Sequence, residues 1–305
     1  MKLLELYTPL VTLVLLGFIL GKKLPANIPV YIGRFLFWLG IPISVLVFLR
    51  QADLSGPIWV APLVAWLAIL LGAILAWWWI GISDRKSKPI WSRPTQGSFL
   101  LAATIGNTGY LGYPITLAFV GSQYFGYALF YDLLGSTLGA WGLGVALAAY
   151  FGGSGQNYRQ VLQAIAINPT LWSFGFGLGF RQVPLPNLVE TILLRLGWAI
   201  VALALILIGM RLSKLDSWHN LPRASISLGI KMLIVPLILG SSLAFFGITG
   251  ATGLAIVLQM SMPPAFATLV IAEAYNLDRE LSVTALAVGS GGLLVTLPIW
   301  LWLFD

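Results

Sequence analysis

The stretch Asn107–Pro114, NTGYLGYP, interrupts a long apolar segment of this sequence. A second apolar segment is interrupted at Met262–Pro264, MPP, so that Pro264 lies 150 positions after Pro114 in a chain of 305 residues. In lipid every backbone N–H and C=O group needs a partner within the protein, so a broken helix is tolerated only where it is buried or lines a wet cavity. Two breaks at corresponding places in two halves predict a transporter's binding site.

The composition is that of a protein embedded in a membrane. Hydrophobic residues make up 59% of the chain and charged residues 9%, whereas soluble domains have about 45–50% and about 25%. The chain has no Cys and one His, His219, which excludes disulfides, thiolate metal sites and His-based triads. No phosphate-binding loop, nucleotide fingerprint or GxSxG elbow occurs, so we expect neither an enzyme nor a bound metal or cofactor.

Apolar runs of about 20 residues predict an all-α polytopic protein with ten membrane-spanning helices. The first run is interpreted as a retained membrane helix and not as a signal peptide, because no small-residue cleavage site follows it. We expect one membrane domain over residues 1–305. The predicted spans are 4–21, 29–49, 57–81, 97–120, 124–151, 162–180, 187–210, 223–247, 250–275 and 280–303.

The net charge of +7 is interpreted as a topology signal and not as a nucleic-acid surface. Cytoplasmic loops are enriched in Lys and Arg, so the connections after odd-numbered spans are predicted to be cytoplasmic and both termini to lie outside the cell membrane. The opposite face has only Lys2, Arg50 and Arg181. The predicted cytoplasmic set is Lys22, Lys23, Arg85, Lys86, Lys88, Arg93, Arg159, Arg211, Lys214, Arg223 and Arg279.

Ten spans divide into two halves of five, predicted as repeats over residues 1–151 and 160–305. Because five is an odd number, the second half would be inverted in the membrane relative to the first. The broken fourth span then corresponds to the broken ninth span. We expect the two broken helices to cross near the midplane, where half-helix N-termini attract carboxylates and other anions.

The first break contains the polar residues Asn107 and Thr108. Its glycines Gly106, Gly109 and Gly112 permit unusual backbone angles, and Pro114 removes a backbone donor. A simple structural kink is the alternative, since Pro and Gly are common in membrane helices. Two matched breaks, one with an Asn that can both donate and accept, favour a binding site.

The second break contains Pro263 and Pro264. Gln259 and Ser261 precede the prolines, and Thr268 lies one turn beyond them. These side chains can hydrogen-bond a ligand or the exposed backbone. Two successive prolines are hard to explain by packing alone.

Ionisable residues within the spans each cost a few kcal/mol unless they are paired or hydrated. Asp132, the most isolated acid, is predicted to be a coupling or structural carboxylate. Glu273 is either a solvated helix end or half of a gating pair. Lys231 is either a coupling or structural charge or a side chain that snorkels towards the headgroups, and Arg34 and Arg195 are expected mainly to snorkel.

The first break resembles the N-x-G-[aromatic]-x-G-x-P signature of the auxin efflux carrier family, which includes the plant PIN carriers. The stretches 262–273 and 277–280, together with Lys231 and Pro236, are similar to the same family's later helices. The resemblance extends over essentially the whole chain.

This resemblance implies a bile-acid-transporter-like fold, with a scaffold, a transport subdomain and elevator-type movement. It places Asn107, Gly109, Pro114, Pro263 and Pro264 at a crossover that holds an organic carboxylate, and it implies a homodimer through the scaffold helices. Many relatives have Asn three residues after the second proline, where this chain has Ala267, so auxin itself is not implied.

We therefore expect a secondary or facilitative transporter of a small organic anion in a plasma or bacterial inner membrane. An anion-selective channel and a non-transporting receptor on the same fold are the alternatives. The lack of a ring of charges along a pore disfavours the channel. The lack of a sizeable soluble output domain disfavours the receptor.

Overall fold

The computed structural model describes residues 2–25, 27–86, 91–152, 166–213 and 220–304, and all regular structure in these ranges is helical. The sixth predicted span, 162–180, begins partly outside the described residues. We number the helices in chain order, including π-helical turns. They are α1 (Lys2–Lys23), α2 (Ile28–Leu49), α3 (Val60–Lys86), α4 (Arg93–Thr104), α5 (108–119), α6 (Ser122–Gly152), α7 (Pro169–Phe180), α8 (Asn187–Leu212), α9 (Leu221–Phe245), α10 (Gly250–Met260), α11 (Phe266–Ala274) and α12 (Arg279–Phe304).

Six of these helices are long and apolar enough to cross a membrane, namely α2, α3, α6, α8, α9 and α12. The fourth and ninth predicted spans are each split into two short helices, α4 with α5 and α10 with α11. The described residues are therefore all-helical, with six candidate membrane spans. The inverted repeat of ten spans stays a prediction.

Helices α1, α2, α7 and α8 pack against one another and form what we call the first helix group. Its closest contact joins α1 to α8. A Cβ atom on Gly17 would overlap the carbonyl of Ile206, and one on Gly209 would overlap the carbonyl of Val14. Glycine at these positions lets the two backbones touch, as in small-residue contacts between membrane helices.

The remaining helices, α3 to α6 and α9 to α12, form the second helix group. Here α6 lies closely on α3, because Gly135 faces Ala65 and Gly139 faces Ile69 with no room for a Cβ atom. Both broken helices belong to this group. Both breaks therefore lie on the side of the second helix group that faces the first helix group.

One part of the boundary between the groups is filled by a cluster of buried apolar side chains, here called the apolar seal. It joins the C-terminal half of α2 to α5, α6 and α8. The seal contains Ile41, Val45, Val47, Phe48, Leu49, Ala52, Tyr113, Leu117, Phe125, Ala128, Leu129, Leu133 and Val201. The other part of the boundary is open and is described next.

Candidate substrate-binding site

The two breaks lie against each other and share backbone hydrogen bonds. The N–H of Asn107 donates to the carbonyl of Pro263 at 2.7 Å, and the N–H of Ala265 donates to the carbonyl of Ile105 at 3.0 Å. These bonds form an isolated antiparallel bridge between Gly106 and Pro264. Each break therefore satisfies backbone groups that the other exposes, which is how irregular backbone can lie at membrane depth. We call this bridge the crossover.

The glycines of the first break have a different role from the predicted one. None of them has a positive φ angle, unlike Gly121, Gly247 and Gly250 elsewhere in the described chain. Each glycine instead accommodates one buried polar side chain. Added Cβ atoms would lie 3.2 Å from Nζ of Lys231 at Gly106, 3.3 Å from Oδ2 of Asp132 at Gly109, and 2.8 Å from Cδ of Gln259 at Gly112.

Pro114 also acts differently from the prediction. The chain leaves helical geometry at residues 105–107 and re-enters it as a π-helical segment, Thr108–Gly112, before Pro114. Pro114 itself lies in the first turn of the α-helical part, Tyr113–Phe119. A proline ring clashes with the carbonyl four residues earlier, and the wider π-helical turn provides room for it.

Two half-helices begin at the crossover, and their first backbone donors are unpaired. Within the described chain, no acceptor is found for the N–H groups of Thr108, Gly109 and Tyr110 at the start of α5. The same holds at the start of α11 for Phe266 and Ala267. Such donors and the helix dipole favour an anion.

Asn107 adds a side-chain amide to these backbone donors. Asn107 is 7% exposed, and its side-chain amide makes no hydrogen bond to any described residue. It lines the same cavity as the unpaired N–H groups. Because this amide lines the cavity, a ligand there could both donate to it and accept from it.

The cavity has a volume of about 760 Å³ and lies between the two helix groups. Its walls come from α2, α7 and α8 on one side and from α5, α6, α11 and the crossover on the other. This volume is in the range of small-molecule sites, about 300–1,000 Å³. Ala267, the position at which many relatives have Asn, lies on this wall.

Arg34 and Arg211 line the cavity, and sequence analysis assigned neither of them to the site. Arg34 is exposed. The guanidinium of Arg211 lies 5.0 Å from the ring centre of Phe266 and 5.9 Å from that of Tyr110. Arg211 directly follows the seventh predicted span. From the sequence alone it therefore cannot be told apart from a charge that only determines topology.

Asp132 on α6 is buried and lines the cavity beside the crossover. Its carboxylate accepts hydrogen bonds from the hydroxyls of Thr108 and of Tyr113, the latter at 2.6 Å. No described Lys or Arg forms an ion pair with it. These bonds attach the first turns of α5 to α6, which favours the structural alternative for Asp132.

Lys231 does not snorkel to the membrane surface. It is 3% exposed, and its ammonium donates to the carbonyl of Met260 at 2.7 Å. Met260 is the last residue of α10, where unpaired carbonyls and the negative end of the helix dipole favour a cation. Lys231 therefore caps the second break from behind the cavity.

The other predicted polar residues of the second break bond within the protein. Gln259 donates to the hydroxyl of Thr116 at 3.0 Å, while Ser261 and Thr268 donate to the carbonyls of Leu258 and Ala265. The cavity wall does not include these three, nor Pro114, Pro263, Pro264, Lys231 and Glu273. Of the predicted site residues, Asn107, Thr108, Gly109 and Asp132 do line it.

Glu273 lies away from the cavity and pairs with Arg279 at 2.7 Å. Their side chains are 47% and 66% exposed, respectively. Exposed pairs of this kind contribute about 0–1 kcal/mol. The solvated-end interpretation of Glu273 therefore agrees with the structure better than a gating pair does.

Broken helices that meet at a cavity between two helix groups are typical of membrane transporters. Comparison with known proteins supports the same class, a membrane transporter. The family described as membrane transport protein matches residues 3–301. The chain belongs to this family, which confirms the resemblance to auxin efflux carriers.

Two archaeal relatives are similar over most of their length. One is an uncharacterized transporter of Methanothermobacter thermautotrophicus, 30% identical over 97% of this chain and 96% of its own. The other is an uncharacterized transporter of Methanocaldococcus jannaschii, 28% identical over 79% of this chain and 78% of its own.

Proposed function

We propose that this protein is a secondary or facilitative transporter that moves a small organic anion by elevator-type alternating access. One observation supports this most directly: unpaired backbone donors of two half-helices and the free amide of Asn107 face one cavity. A carboxylate there would accept hydrogen bonds from groups that otherwise lack partners.

The proposed architecture has ten spans in two inverted repeats. A described helix or helix pair overlaps each of the ten predicted spans, and the breaks fall in the fourth and the ninth, as an inverted repeat requires. On this proposal the first helix group is the scaffold, through which a homodimer would form. The second group is the transport subdomain.

The position of the cavity suggests which side is open. Its walls include the start of α2 at Pro29 and the end of α8 at Arg211, which the Lys and Arg count assigns to the cytoplasmic side. The apolar seal occupies the boundary between the groups on the other side of the crossover. We assign this conformation as inward-open, with both termini outside.

Alternating access would follow from sliding of the second helix group along the first. Both breaks and Asp132 move together in such a step, because all belong to the second group. The apolar seal would separate while apolar contacts form on the cytoplasmic side. Such rigid-body movement of one bundle around a bound substrate is typical of transporters with broken helices.

Counterflow in proteoliposomes tests this proposal. Purified protein is reconstituted with a panel of small carboxylates, with and without imposed proton, sodium and voltage gradients. We expect saturable exchange of at least one carboxylate, and loss of exchange in Asn107→Ala with an unchanged elution profile. Gln182→Ala, in an exposed turn on the opposite face, is the matched control.

Three results would contradict the proposal. Normal exchange by Asn107→Ala would show that the crossover is not part of the binding site. Single-channel currents far above carrier rates would favour the anion channel. Carboxylate binding without flux under any gradient would favour the receptor.

A further inference from the structure

Lys231 places a positive charge directly behind the crossover, at a position that is separate from the cavity wall. It lies on α9 in the π-helical segment Ile230–Ile234 and is 3% exposed. Its ammonium donates to the carbonyl of Met260 at 2.7 Å. A Cβ atom on Gly106 would lie 3.2 Å from the same Nζ atom and 3.3 Å from the carbonyl oxygen of Met262. The ammonium is therefore beside both breaks.

The hydrogen bonds at the end of α10 show what this charge does. The last carbonyls of a helix lack partners within the helix itself. The three carbonyls before Met260 accept hydrogen bonds from the residues that follow, namely Val257 from the N–H of Ser261, Leu258 from the hydroxyl of Ser261, and Gln259 from the N–H of Met262. The carbonyl of Met260, which is fully buried, has Lys231 as its only donor in the described chain. Without the ammonium, the final carbonyl of α10 would be unpaired.

No carboxylate balances the charge of Lys231. Within the described ranges, no Asp or Glu oxygen lies within 4.0 Å of its Nζ atom. A charge at membrane depth is costly unless it is paired, and here the negative end of the α10 dipole is the partner. In transporters with broken helices, half-helix C-terminal ends and unwound carbonyls are the groups that coordinate Na⁺ or a proton. The ammonium of Lys231 thus occupies the kind of position that a coupling cation takes.

Building on the proposed function, we propose that Lys231 is a built-in cation that takes the place of a coupling ion at the crossover. The second break then keeps its geometry without bound Na⁺ or K⁺, and transport requires neither ion. Because α9 and α10 both belong to the second helix group, the ammonium stays with the crossover throughout the proposed movement. Lys231 is therefore a positioning residue, which acts through the backbone of Met260 and has no contact with the substrate.

Chemical rescue of the purified full chain in detergent tests this assignment independently of transport. Lys231→Ala removes the part of the side chain beyond Cβ, and propylammonium supplies the same atoms as a free cation. A ligand that binds only the folded state stabilises it. We therefore expect saturating propylammonium to raise the thermal midpoint of Lys231→Ala by at least about 4 °C. Tetramethylammonium, a cation without N–H donors, should change it by less than about 1 °C.

Two further variants are the controls for this rescue. In Lys231→Met an apolar side chain without charge fills the space, so propylammonium should leave its thermal midpoint unchanged. Leu233→Ala shortens a side chain on the same helix that is 39% exposed. Its midpoint should not respond to propylammonium either, which excludes a general effect of the amine on the protein or the detergent.

A series of salts tests the wild type directly. Its thermal midpoint is measured in sodium, potassium and choline chloride at equal ionic strength. We expect the three values to agree within about 1 °C, because no ion other than the ammonium of Lys231 is needed at the crossover. Counterflow should continue when choline replaces Na⁺ and K⁺ on both sides of the liposome membrane. This series decides the question if Lys231→Ala does not fold.

Specific stabilisation of the wild type by Na⁺ or K⁺ would overturn this inference, as would counterflow that requires either ion. A folded Lys231→Ala protein that does not respond to propylammonium would also overturn it, and so would an equal response of Lys231→Met. The proposed function fails separately: rescue of the thermal midpoint in a protein without flux would sustain the Lys231 assignment and contradict transport. Flux that depends on Na⁺ would do the reverse.

Discussion

Gly112 and Gln259 occupy complementary positions across the crossover, since a Cβ atom on Gly112 would lie 2.7 Å from Nε2 and 2.8 Å from Cδ of Gln259. Gln259 is fully buried, and its amide donates to the hydroxyl of Thr116 on the same short helix as Gly112. The pair attaches the first half of the chain to the second half. The last glycine of the NTGYLGYP stretch is thus required by a partner 147 positions away.

Gly112→Ala should therefore destabilise the protein. The added methyl group must displace the end of a buried side chain, and overpacking of this kind costs about 1–3 kcal/mol. The thermal midpoint of the purified protein in detergent measures the effect. Gly179→Ala is the control, because nothing lies within 4 Å of its Cβ position. Equal midpoints for the two variants would show that Gln259 does not need this space.

Thr116→Val tests the other end of the same contact. Valine matches the shape of threonine, so the main change is that the amide of Gln259 loses its acceptor. The Oε1 atom of Gln259 already lacks a partner among the described residues. We expect a loss of about 1–3 kcal/mol in the free energy of unfolding, the cost of an unpaired buried polar group.

Thr191→Val is the matched control for that variant. Thr191 lies exposed on α8, and its hydroxyl donates to the carbonyl of Asn187. Its replacement should change the thermal midpoint little. A larger shift at Thr191 than at Thr116 would contradict the structural role of Gln259.

Tyr113→Phe should destabilise the start of α5. The Tyr113 hydroxyl donates to the buried carboxyl group of Asp132, and removing one partner of a buried hydrogen bond costs about 1–3 kcal/mol. Tyr150, which is 61% exposed, provides the control variant Tyr150→Phe. Chemical unfolding followed by tryptophan fluorescence measures both. No difference between them would mean that Asp132 does not hold the first break.

The positions of the two breaks could be predicted from the sequence, but the contacts between them could not. Glycines and prolines within apolar segments mark both breaks, because they alter backbone geometry locally. The pattern therefore predicted that Asn107 and Thr108 lie at an interruption. It did not predict that the glycines make room for Lys231, Asp132 and Gln259, since those contacts join distant positions.

Arg211 and Lys231 show the same limit for charges. Counting Lys and Arg treats every residue near a span end as a topology signal, so Arg211 was assigned to a loop. Whether such a side chain snorkels or turns inward depends on its neighbours in three dimensions. Lys231 turns inward because the carbonyl of Met260 is available to it.

Arg50 connects three helices, and its substitution should cost more than that of its ion-pair partner. It donates to the carbonyls of Phe180 and Val183 at 2.7 and 3.0 Å, and it pairs with Glu190 at 2.6 Å. The side chain of Arg50 is 11% exposed, whereas that of Glu190 is 50% exposed.

Glu190→Gln should therefore cost about 0–1 kcal/mol in stability, as solvent-screened pairs do. Arg50→Met should cost about 1–3 kcal/mol, because it leaves carbonyl groups without a donor. Thermal midpoints of the two single variants and the double variant separate the contributions. A larger loss for Glu190→Gln than for Arg50→Met would contradict this interpretation.

Cysteine protection tests whether the unpaired donors of the crossover bind the substrate. The chain has no cysteine of its own, so Ala267→Cys introduces a single thiol on the cavity wall beside an unpaired N–H group. Gln182→Cys, in an exposed turn, provides a thiol remote from the cavity.

The rate of alkylation by a small water-soluble thiol reagent is measured in detergent with increasing concentrations of a carboxylate that shows counterflow. We expect the carboxylate to slow alkylation at position 267, with a concentration dependence matching its transport, and to leave alkylation at position 182 unchanged. Alkylation at position 267 that is unaffected by a saturating transported anion would contradict it.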